Sequence, residues 1–509
     1  MKKLLVLLLA LCMLLLPVLT ACKDTEEVPE DTETEADTEA DPSGLDEWGR
    51  PVVSIDVPES LDFGGEELHI ICRNEDYALV DVGDFEEQTN ALEQQLYYRN
   101  FDIEEYLNIE LVYSYYDPTT LNSKLNSTLQ KDLEADLKTY DLVLNYGTFG
   151  ISALVRDYYV NLLDPSAVPY MDLSKPWWNK NYIENAQAYG QLYYITGDYN
   201  LSTYNRVMVT YFNESLCLSY GISENLYEVA LDGGWTYERL FEYAKMYDDT
   251  NGNTVKDAND VYGLLSNANS EAYDGFLYGF QLNFVKTYDD GAHGFDIAGN
   301  LKMEDAMSKI QTLYEQDGVW LIAKTEGAEK TSEQQYKMFA ESRALFDIDV
   351  IYRYKAQNLA FRDMTDSYGI LPLPKYDSEQ KEYGSGVQVA YTICSIPRYS
   401  NYNGDMVSAF LEYANGYNYR TIRPYYFENI VKKQYFSTED SSKVFDMVLA
   451  STDFDFGEIY AQLINQVNNL VWRNVAKNGG TVSRAWAENE TVFRKKLIEL
   501  DNWFYSKAE

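Results

Sequence analysis

Between residues 66 and 146 the chain alternates two kinds of pattern, and this alternation restricts its fold more than any other feature. Glu67-Leu68-His69-Ile70-Ile71-Cys72 is a short apolar run with an isoleucine pair, the mark of a buried strand. A helical stretch through residues 100–106 follows, then a second strand, Ile109-Glu110-Leu111-Val112-Tyr113. Residues 121–137 are again helical, and Tyr140-Asp141-Leu142-Val143-Leu144 is a third strand that ends at Asn145-Tyr146-Gly147. Strands joined by crossover helices pair in parallel. Ligands of such sheets sit beyond the carboxyl ends of the strands, which singles out Arg73-Asn74-Glu75-Asp76-Tyr77 and Asn145-Tyr146.

Later segments extend the α/β reading. Gly234-Trp235-Thr236 opens a helix with Thr236 as N-cap and an apolar face at Tyr237, Leu240, Phe241, Ala244 and Tyr247. Ala344-Leu345-Phe346 reads as a strand leading into Asp347-Ile348-Asp349. In Tyr368-Gly369-Ile370-Leu371-Pro372-Leu373-Pro374 the prolines fix φ and favour an extended segment. The last hundred residues read as mainly helical. So long a chain exceeds a single core, so at least two lobes are expected.

The N-terminus sets the compartment. Lys2 and Lys3 precede an almost unbroken hydrocarbon run from Leu4 to Leu19, and Thr20-Ala21 stand before Cys22. Charge, apolar run and small residues in that order make a signal peptide, with a run short for spanning a bilayer. The segment resembles a bacterial lipoprotein signal and its lipobox, which implies cleavage before Cys22 and a lipid on its thiol. Residues 1–21 are then the signal, and 22–50 an acidic, disordered tether with twelve acids against two bases between Lys23 and Arg50. The formal charge of the whole chain is −41, which argues against nucleic acid as a partner. Cys72, Cys217 and Cys394 are far apart and flanked by apolar residues, so they read as buried thiols. With only His69 and His293, no zinc cluster can be assembled. Tyrosine dominates the aromatic content, at 46 residues against 21 Phe and 8 Trp. Its flat face and hydroxyl suit sugar or peptide surfaces, and equally an ordinary core.

Several phrases then match a known family in order, over about residues 65–450. They are Val209-Thr210-Tyr211-Phe212-Asn213-Glu214-Ser215-Leu216, Gly234-Trp235-Thr236-Tyr237-Glu238-Arg239-Leu240, the Gly-Ile-Leu-Pro-Leu-Pro-Lys-Tyr-Asp run from Gly369, Pro176-Trp177-Trp178 and Arg423-Pro424-Tyr425-Tyr426. The chain resembles the extracellular solute-binding lipoproteins (family 1 type) of bacterial carbohydrate ABC importers. The resemblance implies a two-lobed periplasmic-binding-protein-like fold of type II, closing around a cleft. It places lobe 1 at 51–198 and 372–420, lobe 2 at 199–371 and 421–509, and crossings near 196–200, 368–374 and 417–424. Ligand contacts by that analogy are Asp76, Tyr77, Asn145, Tyr146, Asp347, Asp349, Tyr425 and Tyr426, with Trp177 and Trp178 as stacking platforms. The implied role is a monomeric receptor at the outer face of the cell membrane that captures a sugar or oligosaccharide and delivers it to an ABC permease, with no bond made or broken. The alternative is a lipid-anchored surface protein that binds or degrades glycans. A hydrolase would need two positioned carboxylates, and the chain carries no GxSxG, HExxH or GxxxxGK motif.

No cofactor is required for that role, but one loop has the spacing of a calcium site. From Asp249 to Asp260, oxygen ligands fall at positions 1, 3, 5, 9 and 12 (Asp249, Asn251, Asn253, Asp257, Asp260), with the Val255 carbonyl at 7, after a helix as in an EF-hand. Gly252 at position 4 and Asp260 at 12 make it look most like a dockerin loop. Thr254 stands where an EF-hand has glycine, and the same residues also suit a plain surface turn.

Overall fold

A strand that is apolar on both faces needs cover on both faces, and this condition organises the structure. The structure is a computed structural model and describes residues 44–116, 122–267, 270–322, 328–351, 361, 364–433, 436 and 438–508. The signal segment, Cys22 and most of the tether lie outside the described residues. The first compact unit is Met1–Val52. Its residues 44–50, read above as tether, form a turn in which the Asp46 carboxylate accepts from the Trp48 and Arg50 amides and pairs with Arg50 at 2.6 Å.

The second unit, Val53–Glu509, holds two α/β bodies. The first body is built from β1 (Glu66–Arg73), α1 (Asp76–Val82), α2 (Ala91–Leu107), β2 (Ile109–Tyr116), α3 (Asn122–Glu134) and β3 (Leu142–Tyr146). β1 lies between β2 and β3 and is parallel to both, with Glu66 opposite Ile109 and Ile70 opposite Leu142. The second body is centred on β4 (Met208–Asn213), β5 (Tyr247–Asp248), β6 (Val261–Asn267), β7 (Val319–Ile322), β8 (Ala344–Val350) and β9 (Tyr368–Leu371). Their order is β9-β4-β8-β6-β5, with β7 also paired to β6. β4, β6 and β8 are buried along their whole length. The chain then returns to the first sheet as β10 (Thr392–Ser395), antiparallel to β3.

Helices α4 (Tyr237–Tyr243), α5 (Ser270–Gly279), α6 (Leu301–Tyr314) and α7 (Ala328–Ala340) follow in the second body, and α8 (Gly404–Tyr417) packs on α2 in the first. Tyrosine goes largely into these interiors: Tyr159, Tyr182, Tyr194, Tyr199, Tyr211, Tyr262 and Tyr426 are among the largest fully buried side chains. Trp235 is also fully buried, stacked on Phe346 at 5.5 Å and donating its indole N–H to the Pro372 carbonyl. Cys72, Cys217 and Cys394 are buried thiols, as expected.

Four expectations change. α4 ends at Tyr243, and Tyr247 instead enters β5, where it pairs with Tyr262. Asp347 and Asp349 lie within β8 rather than beyond it. The crossing at 417–424 is helical: α8 runs into widened π turns from Asn418. The C-terminal residues do not stay with the second body. α9 (Phe456–Ile459) and the 27-residue α10 (Val482–Ala508) touch both. Near its start, α10 receives Phe295 against Trp486 at 5.1 Å, and the Val482 amide donates to Glu304. At its end, Trp503 lies 5.2 Å from Tyr193, and Lys507 pairs with Asp157 at 2.9 Å.

Several carboxyls are buried deeply enough to hold their protons. Burial pushes Asp81 up to about 6, Glu412 to about 7 and Asp455 to about 8. Acids whose folded pKa is raised make the native state bind more protons than the unfolded chain, so stability falls as pH rises through that window. We expect a higher melting temperature at pH 5 than at pH 8, measured by scanning calorimetry, with the trend reversing below about pH 4, where exposed carboxylates with lowered pKa protonate. A melting temperature that rises steadily from pH 5 to 8 would contradict this assignment.

Candidate functional site

The parallel strands of both sheets fix where a site can form. β1 and β3 end at Arg73 and Tyr146; β6 and β8 end at Asn267 and Val350. β4 runs antiparallel to β8, so its first residue, Met208, meets Val350 at this same end. The segments that join the bodies also lie here. Ile195 bridges Cys394, Val207 bridges Val387, the Gln388 amide donates to the Arg206 carbonyl at 2.8 Å, and the Ile351 amide donates to the Val207 carbonyl at 2.9 Å. A continuous backbone path therefore runs from β10 of the first sheet to the end of β8 in the second.

Arg73 ties the first sheet to that path. It is 1 % exposed, and its guanidinium donates to the Ala390 carbonyl from both terminal nitrogens at 3.2 Å and to Thr392 Oγ1 at 2.7 Å. The Thr392 hydroxyl lies 2.9 Å from Ser202 Oγ. Ser202 in turn donates its amide and hydroxyl to the two oxygens of Asp81, at 2.8 and 2.5 Å. Strand β1, helix α1, the first crossing and β10 thus meet in one buried polar network.

Around this anchor an aromatic ring, a forked cation and carboxylates come together, most of them buried. The Arg73 guanidinium lies 4.9 Å over the Tyr146 ring and pairs with Glu75 at 3.2 Å. Burial raises the Tyr146 phenol, while Arg73 and Arg206 pull it back; Glu75 and Glu271 of α5 also act on it. Tyr146 therefore senses charges from both bodies. Asn145 is fully buried, and its Oδ1 accepts from the Tyr116 hydroxyl at 3.0 Å and the Tyr146 amide at 2.7 Å. Its Nδ2 has no hydrogen-bond partner among the described residues. Gly147 is needed by the close approach of Tyr391: a Cβ there would stand 2.7 Å from that ring. Rings, a forked cation and carboxylates can stack on a sugar's C–H face and hydrogen-bond its hydroxyls.

The expected contacts divide sharply. Asn145 and Tyr146 stand at this end of the first sheet. Asp76 and Tyr77 open α1 beside them, with side chains outside the described residues. Asp347 and Asp349 are fully buried in β8. Asp347 accepts from Gln335 of α7 at 2.6 Å, and Gln335 accepts from Asn267, so this aspartate braces the ends of β6 and β8. Tyr426 is buried with its hydroxyl donating to Asn205 at 2.7 Å, and Tyr425 is half-buried. Trp177 and Trp178 are not open platforms. They are 0 % and 2 % exposed, and the Trp178 indole donates to Glu412 of α8 at 3.0 Å inside the first body. Arg206, Glu271, Gln388 and Tyr391 were missed, because their place depends on pairings hundreds of residues apart. Arg73 did carry a signal, as a cation closing an apolar strand.

Asp274 of α5 and Glu458 of α9 are both held by Arg473, at 2.5 and 2.6 Å. Such a clamp neutralises an acid pair instead of freeing one for proton transfer. His69 faces Glu67 and His293 faces Asp501, both away from Tyr146. Among the described residues, no three His, Cys, Asp or Glu side chains are grouped to hold a metal ion, and no helix is long and apolar enough to cross a membrane.

No protein-family model matches the sequence, and neither does any curated protein. Solved structures match its fold. The galacto-N-biose-/lacto-N-biose I-binding protein of a Bifidobacterium longum ABC transporter aligns at TM-score 0.56 and 12% identity, over 86% of this chain and 98% of that one. The sugar-binding protein MalE from Xanthomonas citri gives 0.56 at 14%, over 86% and 99%. An ABC substrate-binding protein from Listeria monocytogenes in complex with cycloalternan gives 0.53 at 11%, over 85% and 99%. At these identities the likeness is one of fold, the two-lobed periplasmic-binding-protein-like architecture expected from the sequence.

Replacing Thr392 with valine keeps the shape and removes the hydroxyl between Arg73 and Ser202. We expect a loss of about 1–3 kcal/mol in urea unfolding, since the buried partners lose a hydrogen bond. A loss under about 0.5 kcal/mol would show that the network does not anchor the crossing.

Proposed function

We propose that this chain is an extracellular receptor that captures a sugar or oligosaccharide in the cleft at Arg73, Tyr146, Arg206 and Glu271, and delivers it to an ABC permease. The observation that carries the reading is the convergence of both sheets' strand ends on the segments that join them, in a fold whose solved examples include binding proteins for lacto-N-biose and cycloalternan. A ligand touching both bodies favours the closed arrangement, because the full set of contacts exists only there. A permease can then distinguish loaded from empty receptor by shape. Cys22, as the lipidated first residue of the mature chain, would keep the receptor at the membrane, with residues 23–43 giving it reach. The work is capture and release, without catalysis.

A thermal-shift screen against mono- and oligosaccharides tests the ligand class. A binding sugar raises the melting temperature progressively with concentration. Tyr146→Ala should weaken that sugar about tenfold or more, as loss of a central aromatic contact does. Cleavage of the sugar during incubation would replace the receptor reading with an enzymatic one. Cys22→Ala should release the protein into the medium with its sugar affinity unchanged; a variant still held in the membrane fraction would count against the lipid anchor.

A further inference from the structure

The Asp249–Asp260 loop follows β5, not a helix, and closes a hairpin with β6. Its Asx oxygens accept the loop's own amides, as in any turn of this composition, and identify no ligand. The end of the first body opposite the cleft is built differently. β10 runs away from Tyr146, and its continuation pairs with an earlier segment. The Ile396 carbonyl accepts the Val160 amide at 2.9 Å, Tyr159 bridges Pro397, and the Arg398 amide donates to the Tyr158 carbonyl at 2.8 Å. The last turn of α10 comes to this edge, and a cavity of about 400 Å³ lies there, with Arg398 and Lys507 both in its wall. That volume is in the range of small-molecule sites.

Two cations stand side by side in this wall, in a chain whose formal charge is −41. Arg398 follows β10 and Lys507 ends α10, yet both pair with the same oxygen, Oδ2 of Asp157, Lys507 at 2.9 Å. Asp157 therefore fixes the pair without saturating it. Arg398 engages Asp157 through Nη2 alone, at the carboxylate and, at 3.0 Å, at the carbonyl, so Nε and Nη1 remain to donate elsewhere. The Lys507 ammonium keeps two further N–H groups.

Gln191 supplies an independent observation. It is 9 % exposed, and its Oε1 accepts the Tyr193 hydroxyl at 2.9 Å. Its Nε2 has no hydrogen-bond partner among the described residues and is left to donate into the cavity that Gln191 lines. A buried amide without an acceptor is costly. The acceptors in the wall are of another kind. Asp164 Oδ1 takes the Ser166 amide and hydroxyl at 2.9 and 2.7 Å, and Tyr402 gives its proton to the Ala167 carbonyl at 3.1 Å, so the Tyr402 oxygen can only accept from a ligand. Together with Asp157 these oxygens suit hydroxyl donors and repel a dianion such as phosphate.

We propose that this cavity binds a small hydroxylated carboxylate of the uronic acid class. Its carboxylate lies on Arg398 and Lys507, and its hydroxyls meet Gln191, Asp164 and Tyr402. Because Lys507 belongs to α10 and Arg398 to the first body, the bound acid also holds the end of α10 in place. The site is separate from the face at Arg73 and Tyr146, which lies at the other end of the first sheet.

The full-length protein in detergent provides the test, with galacturonate as the probe. Isothermal titration calorimetry should detect its binding, and saturation should raise the melting temperature by about 1–3 °C. Arg398→Gln and Lys507→Gln alter partly exposed side chains in a surface ion pair, so both variants should fold normally. Each should weaken galacturonate about tenfold or more, as loss of a charge-assisted hydrogen bond does. Tyr146→Ala, at the cleft, should leave galacturonate affinity as it was. No binding of galacturonate to the wild type would overturn the proposal. Equal binding of acetate or phosphate would do the same, since it marks an effect of bare charge. So would undiminished binding when both cations are replaced, or binding that Tyr146→Ala abolishes, which puts the acid in the cleft. Neutral sugars are titrated separately, so a negative result here leaves the receptor reading standing.

Discussion

The Arg73 guanidinium holds the first sheet to the segments that cross between the two bodies. It closes β1, and from there it binds the Ala390 carbonyl and the Thr392 hydroxyl of the returning chain, while Ser202 and Asp81 complete the circuit. An arginine suits this place because its planar fork satisfies several acceptors at once and stays charged when buried. Breaking such a circuit leaves buried groups without partners, so its members are held to one arrangement. The same guanidinium covers Tyr146. Anchor and proposed ligand face are therefore one object, and any shift of the crossing segments is felt at Tyr146.

Closure has to be reconciled with a second constraint at the other end of the chain. Helix α10, about 40 Å long at 1.5 Å per residue, rests on the second body near Trp486 and on the first near Trp503. α9 adds another bridge: Glu458 pairs with Arg473, and its carbonyl accepts from Thr148 just after β3. Elements that touch both bodies restrict the hinge to motions that preserve those contacts. A small rotation about the crossing segments meets that condition, while a wide opening would strip rings such as Trp503 from Tyr193.

The first sheet could be read directly from the sequence because local pattern and global role coincide there. Apolar runs at β1, β2 and β3 separated by helical stretches admit parallel pairing and little else, and Asn145 and Tyr146 stand where that pairing puts them. Asp347 and Asp349 were misplaced because an aspartate within an apolar run resembles a strand end; only the Gln335 and Asn267 partners reveal that Asp347 belongs inside. Trp177 and Trp178 show the ambiguity of aromatic residues, which fill cores and line sugar sites with the same surface. Arg206 and Gln388 had no local signal at all, since their meeting is set by the Val207–Val387 bridge. An amphipathic helix such as α10 likewise declares an apolar face without declaring which body will cover it.

The central claim is that a sugar draws the two bodies together across the Arg73–Tyr146 face. Small-angle X-ray scattering with and without a saturating sugar measures this most directly, on a particle whose expected radius of gyration is about 23 Å. The account requires a smaller radius in the sugar-bound state, with Tyr146→Ala needing more sugar to reach it. An unchanged radius at proven saturation would contradict hinge closure and leave a rigid binding protein in its place.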